Sequence, residues 1–162
     1  MPVTRSYPIL HVALFIFSVF MLTASAGTTR VSCVGNSVTS GSNIIDITKR
    51  YPGRLQSLLG DEYSVSRNGV GGACLMKSCD LPYWKSGLPG VFEINPHIIF
   101  IMLGTNDSKI DNAPLLAADF VKDMKAMVDT FQLIGILIFS VAFGRYKNIL
   151  DRCSIFPVTI TL

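Results

Sequence analysis

Ser37 lies in VSCVGNSVTSGS, where a short apolar run stops at Gly35-Asn36 and small polar residues follow. A hydroxyl presented on a tight turn at a strand end is a candidate nucleophile for acyl transfer, once a base takes its proton. Two further loops offer the other half of that chemistry. Asn68-Gly69-Val70-Gly71-Gly72 ends a second apolar segment, and its glycines let a backbone N–H approach a small oxyanion with no side chain in the way. Gly104-Thr105-Asn106-Asp107 ends a third, and the Asn106 amide is a second oxyanion donor. Removing one such donor typically costs about two to three powers of ten in rate.

The base is harder to find. The histidines are His11 and His97. His97 opens the apolar run HIIFIMLGTND while Asn106 follows its far end, a separation of roughly 20 Å at about 3.3 Å per strand residue. A base must reach within about 3 Å of the serine hydroxyl, so His97 reads as a strand-edge residue. Asp107 adjoins the site and reads as loop support, because an ordinary carboxyl near pKa ~4 is a feeble base at neutral pH. Asp111, Asp119 and Asp123 are assigned to the following helix and its solvated face. Phosphate binding fits poorly: Gly35 and Gly41 enclose five residues with no Lys-Ser/Thr after them, and NGVGG is not Gly-x-Gly-x-x-Gly. Asn106-Asp107-Ser108 is also a glycosylation sequon, and a glycan there would abolish the site.

These loops need a scaffold that ends several strands at one edge. TTRVSCVG predicts a first strand, and YPGRLQSLLG a helix with Leu55, Leu58 and Leu59 on one face. EYSVSRNGVGG predicts a second strand. LMKSCDLPYWKSGLPGVFEINP reads as an irregular loop with a short helix around Val91 to Ile94. HIIFIMLGTND is a continuous apolar run of the kind buried on both faces. APLLAADFVKDMKAMVDTF has helical spacing, with Leu116, Phe120, Met124, Met127 and Phe131 on one stripe. GILIFSVAF predicts a fourth strand. Alternating strands and helices predict a parallel α/β sheet covered on both faces, where ligands bind at the carboxyl ends of the strands.

With 162 residues, 49% hydrophobic, 15% charged and net charge +3, the chain has one domain's worth of sequence and no mark of disorder. The charge is too mild and evenly spread for a nucleic-acid surface. Residues 1–26 carry Arg5, an apolar run from Ile9 to Leu22 and Ala24-Ser25-Ala26, the pattern of a secretory signal cleaved after Ala26. An uncleaved anchor is the rival, but the run is shorter than the roughly 20 residues of a spanning helix. The expectation is a secreted protein with no membrane segment after cleavage. Cys33 reads as a small buried hydrophobe, while Cys74 and Cys79 are close enough in sequence to pair. No Cys/His spacing fits a zinc site, and no cofactor is expected.

In order and spacing the three loops resemble the SGNH (GDSL-type) hydrolases, esterases and lipases on a flavodoxin-like three-layer α/β/α sandwich with a parallel sheet. Gly35-Asn36-Ser37-Val38-Thr39 is similar to the family's first block, with Asn36 where Asp is commoner. Gly72 falls at the second-block glycine and Gly104-Thr105-Asn106-Asp107 at the third block. The resemblance implies Ser37 as nucleophile, an oxyanion hole from Ser37 N–H, Gly72 N–H and the Asn106 amide, and support from Asn36 and Asp107. YPGRLQSLLGDEYSV, LPYWKSG and NPHIIFIMLGTNDSK resemble the carbohydrate acetylesterase branch that includes sialate O-acetylesterase-like proteins. A carbohydrate or other small-molecule ester is then the expected substrate.

The motif-level resemblance covers roughly Arg30 to Gln132, and residues 27–132 are expected to form the N-terminal part of the hydrolase domain. Residues 133–162 read as an atypical tail with at most one further strand. The family's last element, Asp-x-x-His with the base and its orienting carboxylate, does not occur in the sequence. The expectation is a C-terminally truncated serine ester hydrolase, inactive or weak as it stands. The alternative is a secreted, non-catalytic acetyl-sugar-binding remnant.

Overall fold

The computed structural model describes residues 27–140. The segment read as a signal peptide and residues 141–162 of the tail lie outside the described residues. The described chain runs β1 (Thr29–Gly35), α1 (Ser37–Ser40), α2 (Tyr51–Leu59), β2 (Tyr63–Gly69), α3 (Tyr83–Ser86), α4 (Leu88–Ile94), β3 (Ile98–Met102), α5 (Leu116–Gln132) and β4 (Leu137–Ser140). All neighbouring strands are parallel, in the order β2-β1-β3-β4. This is the α/β architecture that the alternating pattern predicts.

The register explains the burial. Ser32 pairs with Ile99 and Val34 with Ile101, while Ile99 pairs with Ile138. Because side chains alternate along a strand, Val34, Ile99, Ile101 and Ile138 share one face. They join one core with Phe120, Met124, Met127, Val128 and Phe131 of α5, Val91 of α4 and Ala73 to Met76 of a loop. The predicted α5 stripe is therefore the packed face, with Leu116 at its partly buried margin. Ser32 is buried on this side and accepts from Asn68 Nδ2 at 2.7 Å. On the opposite face, buried Cys33 lies near Tyr51 at the start of α2, and burial pushes its thiol up to about 11.

α2 departs from its expected packing. Leu58 is 83% exposed, and Pro52 is the helix's buried residue. The helix flanks β2, the strand at the sheet's margin among the described residues, and no second layer among those residues receives a full leucine face. Instead Gln56 ties helix to strand edge: its Oε1 accepts from Val65 N at 2.7 Å and its Nε2 donates to Tyr63 O at 2.9 Å. A side-chain amide thus occupies backbone groups on a strand edge that would otherwise template further pairing.

The segment expected to be irregular holds two helices, α3 as well as α4. Sequence periodicity cannot register a helix of four residues. Tyr83 anchors it: the side chain is fully buried and its hydroxyl donates to Asn68 O at 2.5 Å.

β1 and β3 are neighbours, and the connection from β1 runs to β2 on one side while that from β3 runs to β4 on the other, opening a crevice between their carboxyl ends. Gly69 holds α1 in that position. A Cβ on Gly69 would lie 2.7 Å from the Thr39 carbonyl carbon and 2.8 Å from Ser40 Cα, both backbone atoms that cannot rotate away. Gly69→Ala is expected to cost about 1–3 kcal/mol, the usual range for overpacking, and to displace α1. A lowered urea midpoint with an unchanged slope checks the stability part.

Candidate active site

Three strand ends bring the sequence-selected residues to one edge. Gly35 pairs with Gly69 on one side and Met102 on the other. Ser37, Gly72 and Asn106 therefore follow neighbouring strand termini by two, three and four residues. Ser37 opens α1 and is half-buried. Asn36 is 1% exposed and caps α1, its Oδ1 accepting from Val38 N at 3.0 Å. An Asx side chain closing a turn in this way fixes the backbone at the start of the helix, so asparagine at this position performs the local task without a charge.

The Gly72 loop takes its shape from the opposite loop. Gly72 has φ +81°, a conformation that L side chains rarely adopt. Asn106 Nδ2 donates to Ala73 O at 2.8 Å, and the amide has a second N–H to offer. Lys109 Nζ reaches Gly72 O at 3.3 Å and Asp80 Oδ2 at 2.9 Å. Asn112 and Asp80 pair reciprocally: Asn112 Nδ2 donates to Asp80 Oδ1 at 2.8 Å, and Asp80 N donates to Asn112 Oδ1 at 3.2 Å. Hydrogen bonding from Asn112, then from Lys109, holds the Asp80 carboxyl below its ordinary range.

Asp107 is fully buried, and its carboxylate accepts from Leu75 N at 2.9 Å and Met76 N at 2.8 Å. Burial pushes this carboxyl above its ordinary range, and the backbone N–H groups only partly offset that. Its lone pairs are engaged with the loop, so it serves as a clamp and not as a base. A disulfide joins Cys74 to Cys79 around the same loop.

Asp119 and Asp123 correct the solvated-face expectation. Asp123 is 2% exposed and accepts from Lys77 N at 2.7 Å, while Asp119 accepts from Ser78 Oγ at 2.6 Å. Both hold the 74–80 loop from α5. Asp111 is exposed and precedes the helix. These partners lie some forty residues from the loop in sequence, and no local pattern announces them. Lys109, Asn112 and Asp80 were missed for the same reason.

His97 is exposed at the opposite end of the sheet. Its N–H donates to Arg30 O at 2.8 Å, and its Nδ1 accepts from Arg30 N at 3.1 Å. Arg30 is near the start of β1 and Ser37 lies beyond its end, so the strand's length separates His97 from Ser37.

Replacing Asp107 by Asn puts an amide against two backbone donors that need acceptors. The expected loss is about 1–3 kcal/mol, the desolvation cost of an unpaired buried group. The pH dependence has a definite sign. The folded protein keeps the Asp107 proton at a pH where the unfolded chain has released it. The wild type therefore loses stability relative to Asp107→Asn as pH rises from about 4 through the folded value. Urea unfolding of both proteins between pH 3 and 8 reads this difference. Cys74→Ser with Cys79→Ser is expected to lower stability by about 2 kcal/mol, as loop entropy gives for so short a loop.

The sequence profile of the GDSL-like Lipase/Acylhydrolase family matches residues 33–157, beyond the Gln132 at which the motif resemblance stops. An acetylxylan esterase of Xylanibacter ruminicola is 38% identical over 106 residues, which are 61% of this chain and 21% of that protein. The crystal structure of a carbohydrate acetylesterase family member from Sinorhizobium meliloti has 25% identity and a TM-score of 0.56 over 70% of this chain and 62% of its own. An SGNH-hydrolase family esterase shares the fold at 18% identity and a TM-score of 0.53, over 75% and 62% of the two chains. The chain thus spans about a fifth of the acetylxylan esterase and under two thirds of either structural neighbour. With the strand order, the three loops and the profile in agreement, the chain belongs to the GDSL-like lipase/acylhydrolase family.

Proposed function

We propose that this chain carries the nucleophile and oxyanion half of an SGNH-type serine esterase that removes O-acetyl groups from carbohydrates. The observation that supports it best is the convergence of the Ser37, Gly72 and Asn106 loops at one sheet edge, with Asp107 and Asn106 fixing the loop that carries Gly72. The acetyl-sugar substrate class follows the names of the acetylxylan esterase and carbohydrate acetylesterase relatives.

In this reading Ser37 Oγ attacks the ester carbonyl carbon, and its proton passes to a base. The carbonyl π pair moves onto oxygen, where Ser37 N–H, Gly72 N–H and the free Asn106 N–H receive the charge. Collapse of the intermediate expels the sugar oxygen, which takes the proton, and leaves an acetyl-serine. Water, activated by the same base, then releases acetate and restores Ser37.

His97 is remote and Asp107 is engaged with the 75–76 backbone, so neither serves as that base. The test therefore supplies an imidazole. Acetate release from acetylated xylo-oligosaccharides is measured with the chain alone, with added imidazole, and with an extended version carrying an Asp-x-x-His segment. Ser37→Ala is expected to remove all protein-dependent hydrolysis. Asn106→Ala is expected to lower kcat by about 10²–10³-fold. Hydrolysis that survives unchanged in Ser37→Ala sinks the nucleophile assignment. Acetyl-sugar binding without turnover in every version favours the binding-remnant reading.

Secretion is part of the same proposal. It is supported by the signal-like pattern of residues 1–26 and by the Cys74–Cys79 disulfide, a bond that persists in oxidising compartments. Protein recovered from the medium of an expressing eukaryotic cell is expected to begin at Gly27.

A further inference from the structure

Two arginines converge on the far end of the helix that presents Ser37. Arg67 NH1 donates to Ser40 O at 2.8 Å, and Arg50 NH1 donates to the same oxygen at 3.1 Å. Arg50 is further fixed through Nε to Ile44 O at 2.8 Å, and its aliphatic stem crosses Gly41 where a Cβ would stand. One role is plain: two cations cap the carboxyl end of α1, the favourable end for positive charge.

Capping does not use up the pair. Arg50 spends two of its N–H groups on carbonyls and Arg67 spends one, leaving the greater part of both forks available. Like charges gathered at one point normally have a carboxylate between them. Among the described residues no Asp or Glu forms an ion pair with either arginine. The nearest acid in sequence, Asp46, is occupied by Thr48 and Lys49.

There is also room for a ligand. Arg67 lines a groove of about 310 Å³ between α2 and β2, whose other walls include Ile47, Thr48, Gln56, Ser57 and Val65. That volume lies at the small end of the range for ligand sites, about 300 Å³ upward. A polar rim beside an apolar wall suits a sugar ring, which has hydroxyl edges and a C–H face. Ser40 is one helical turn, roughly 5 Å of rise, from Ser37. The arginines thus hold the far end of the same short helix that begins at Ser37, within reach of a glycan chain of a few units.

We propose that Arg67 and Arg50 form an anionic subsite that receives the carboxylate of a uronic-acid unit in the same glycan chain as the acetylated sugar. The guanidinium fork matches a planar carboxylate in geometry as well as in charge. This inference rests on the carbohydrate reading above and narrows its substrate class to acidic, acetylated glycans.

Binding, not turnover, tests it, because binding requires no base. Acetylated xylo-oligosaccharides of equal length, with and without one glucuronate branch, are titrated calorimetrically against the wild type and Ser37→Ala. Both proteins are expected to bind the acidic oligosaccharide about tenfold more tightly, as one or two charge-assisted hydrogen bonds supply, with the preference shrinking at high salt. Arg67→Gln is expected to bring the two affinities within twofold. Ser57→Glu, an exposed change on α2 that sets a competing carboxylate in the groove, is expected to do the same with an unchanged Tm.

Equal affinities in the wild type, or a preference that survives both Arg67→Gln and Ser57→Glu, overturn the subsite. So does failure to bind either oligosaccharide. Inorganic sulfate binding as tightly as the acidic oligosaccharide, with the same dependence on Arg67, overturns the sugar assignment in favour of a simple anion site. An acidic preference that persists while Ser37→Ala leaves hydrolysis unchanged would instead sink the esterase reading and leave the subsite standing.

Discussion

A buried carboxylate holds the candidate site together. Asp107 leaves water completely and recovers only part of the cost by accepting the N–H groups of Leu75 and Met76. A loop of this kind has no ladder of its own, so its backbone donors need partners from elsewhere. Asp107 satisfies two of them together, and the position of Gly72, three residues upstream, follows. Asn106, Lys109 and Asn112 extend the clamp along the same pair of loops. The disulfide and the α5 carboxylates Asp119 and Asp123 close it from the other side.

This arrangement separates positioning from chemistry. Asn106 presents one amide N–H to Ala73 O and has a second, so in the proposed esterase the residue that stabilises the oxyanion would also fix the loop bearing Gly72. Such preorganisation is what makes an oxyanion hole effective: the dipoles are aimed before charge develops, and no reorganisation is required at the moment of reaction. Ser37 is treated likewise. Asn36 caps the turn from one side and the two arginines cap the helix from the other, while the bare backbone of Gly69 sits against it.

The sheet imposes the remaining constraint. Parallel strands need crossovers, and crossovers deliver every loop of one kind to the same edge. With β1 in the middle, the loops after β1, β2 and β3 become neighbours although they are some thirty-five residues apart in the chain. The same rule sends His97 to the opposite edge, because it precedes a strand whose far end carries Asn106.

The strands, the α5 stripe and the three strand-end loops of the candidate site were legible in the sequence, since each depends on a short local pattern: β-branched runs, a 3.6-residue period, glycines and Asx residues at strand ends. The remoteness of His97 from Ser37 was legible too, because His97 sits on the wrong side of its strand. What only the tertiary structure decided was which polar groups meet across distance. Asp119 and Asp123 have the spacing of solvent-facing helical residues, yet they bind a loop some forty residues earlier. Leu58 has the spacing of a core residue, yet it faces water beside a strand at the sheet's margin. Arg50 and Arg67 are seventeen positions apart with no shared motif, and they meet at one carbonyl oxygen. Hydrophobic periodicity is a property of the local chain, whereas pairing of buried polar groups is a property of the packed whole, and no local pattern encodes it.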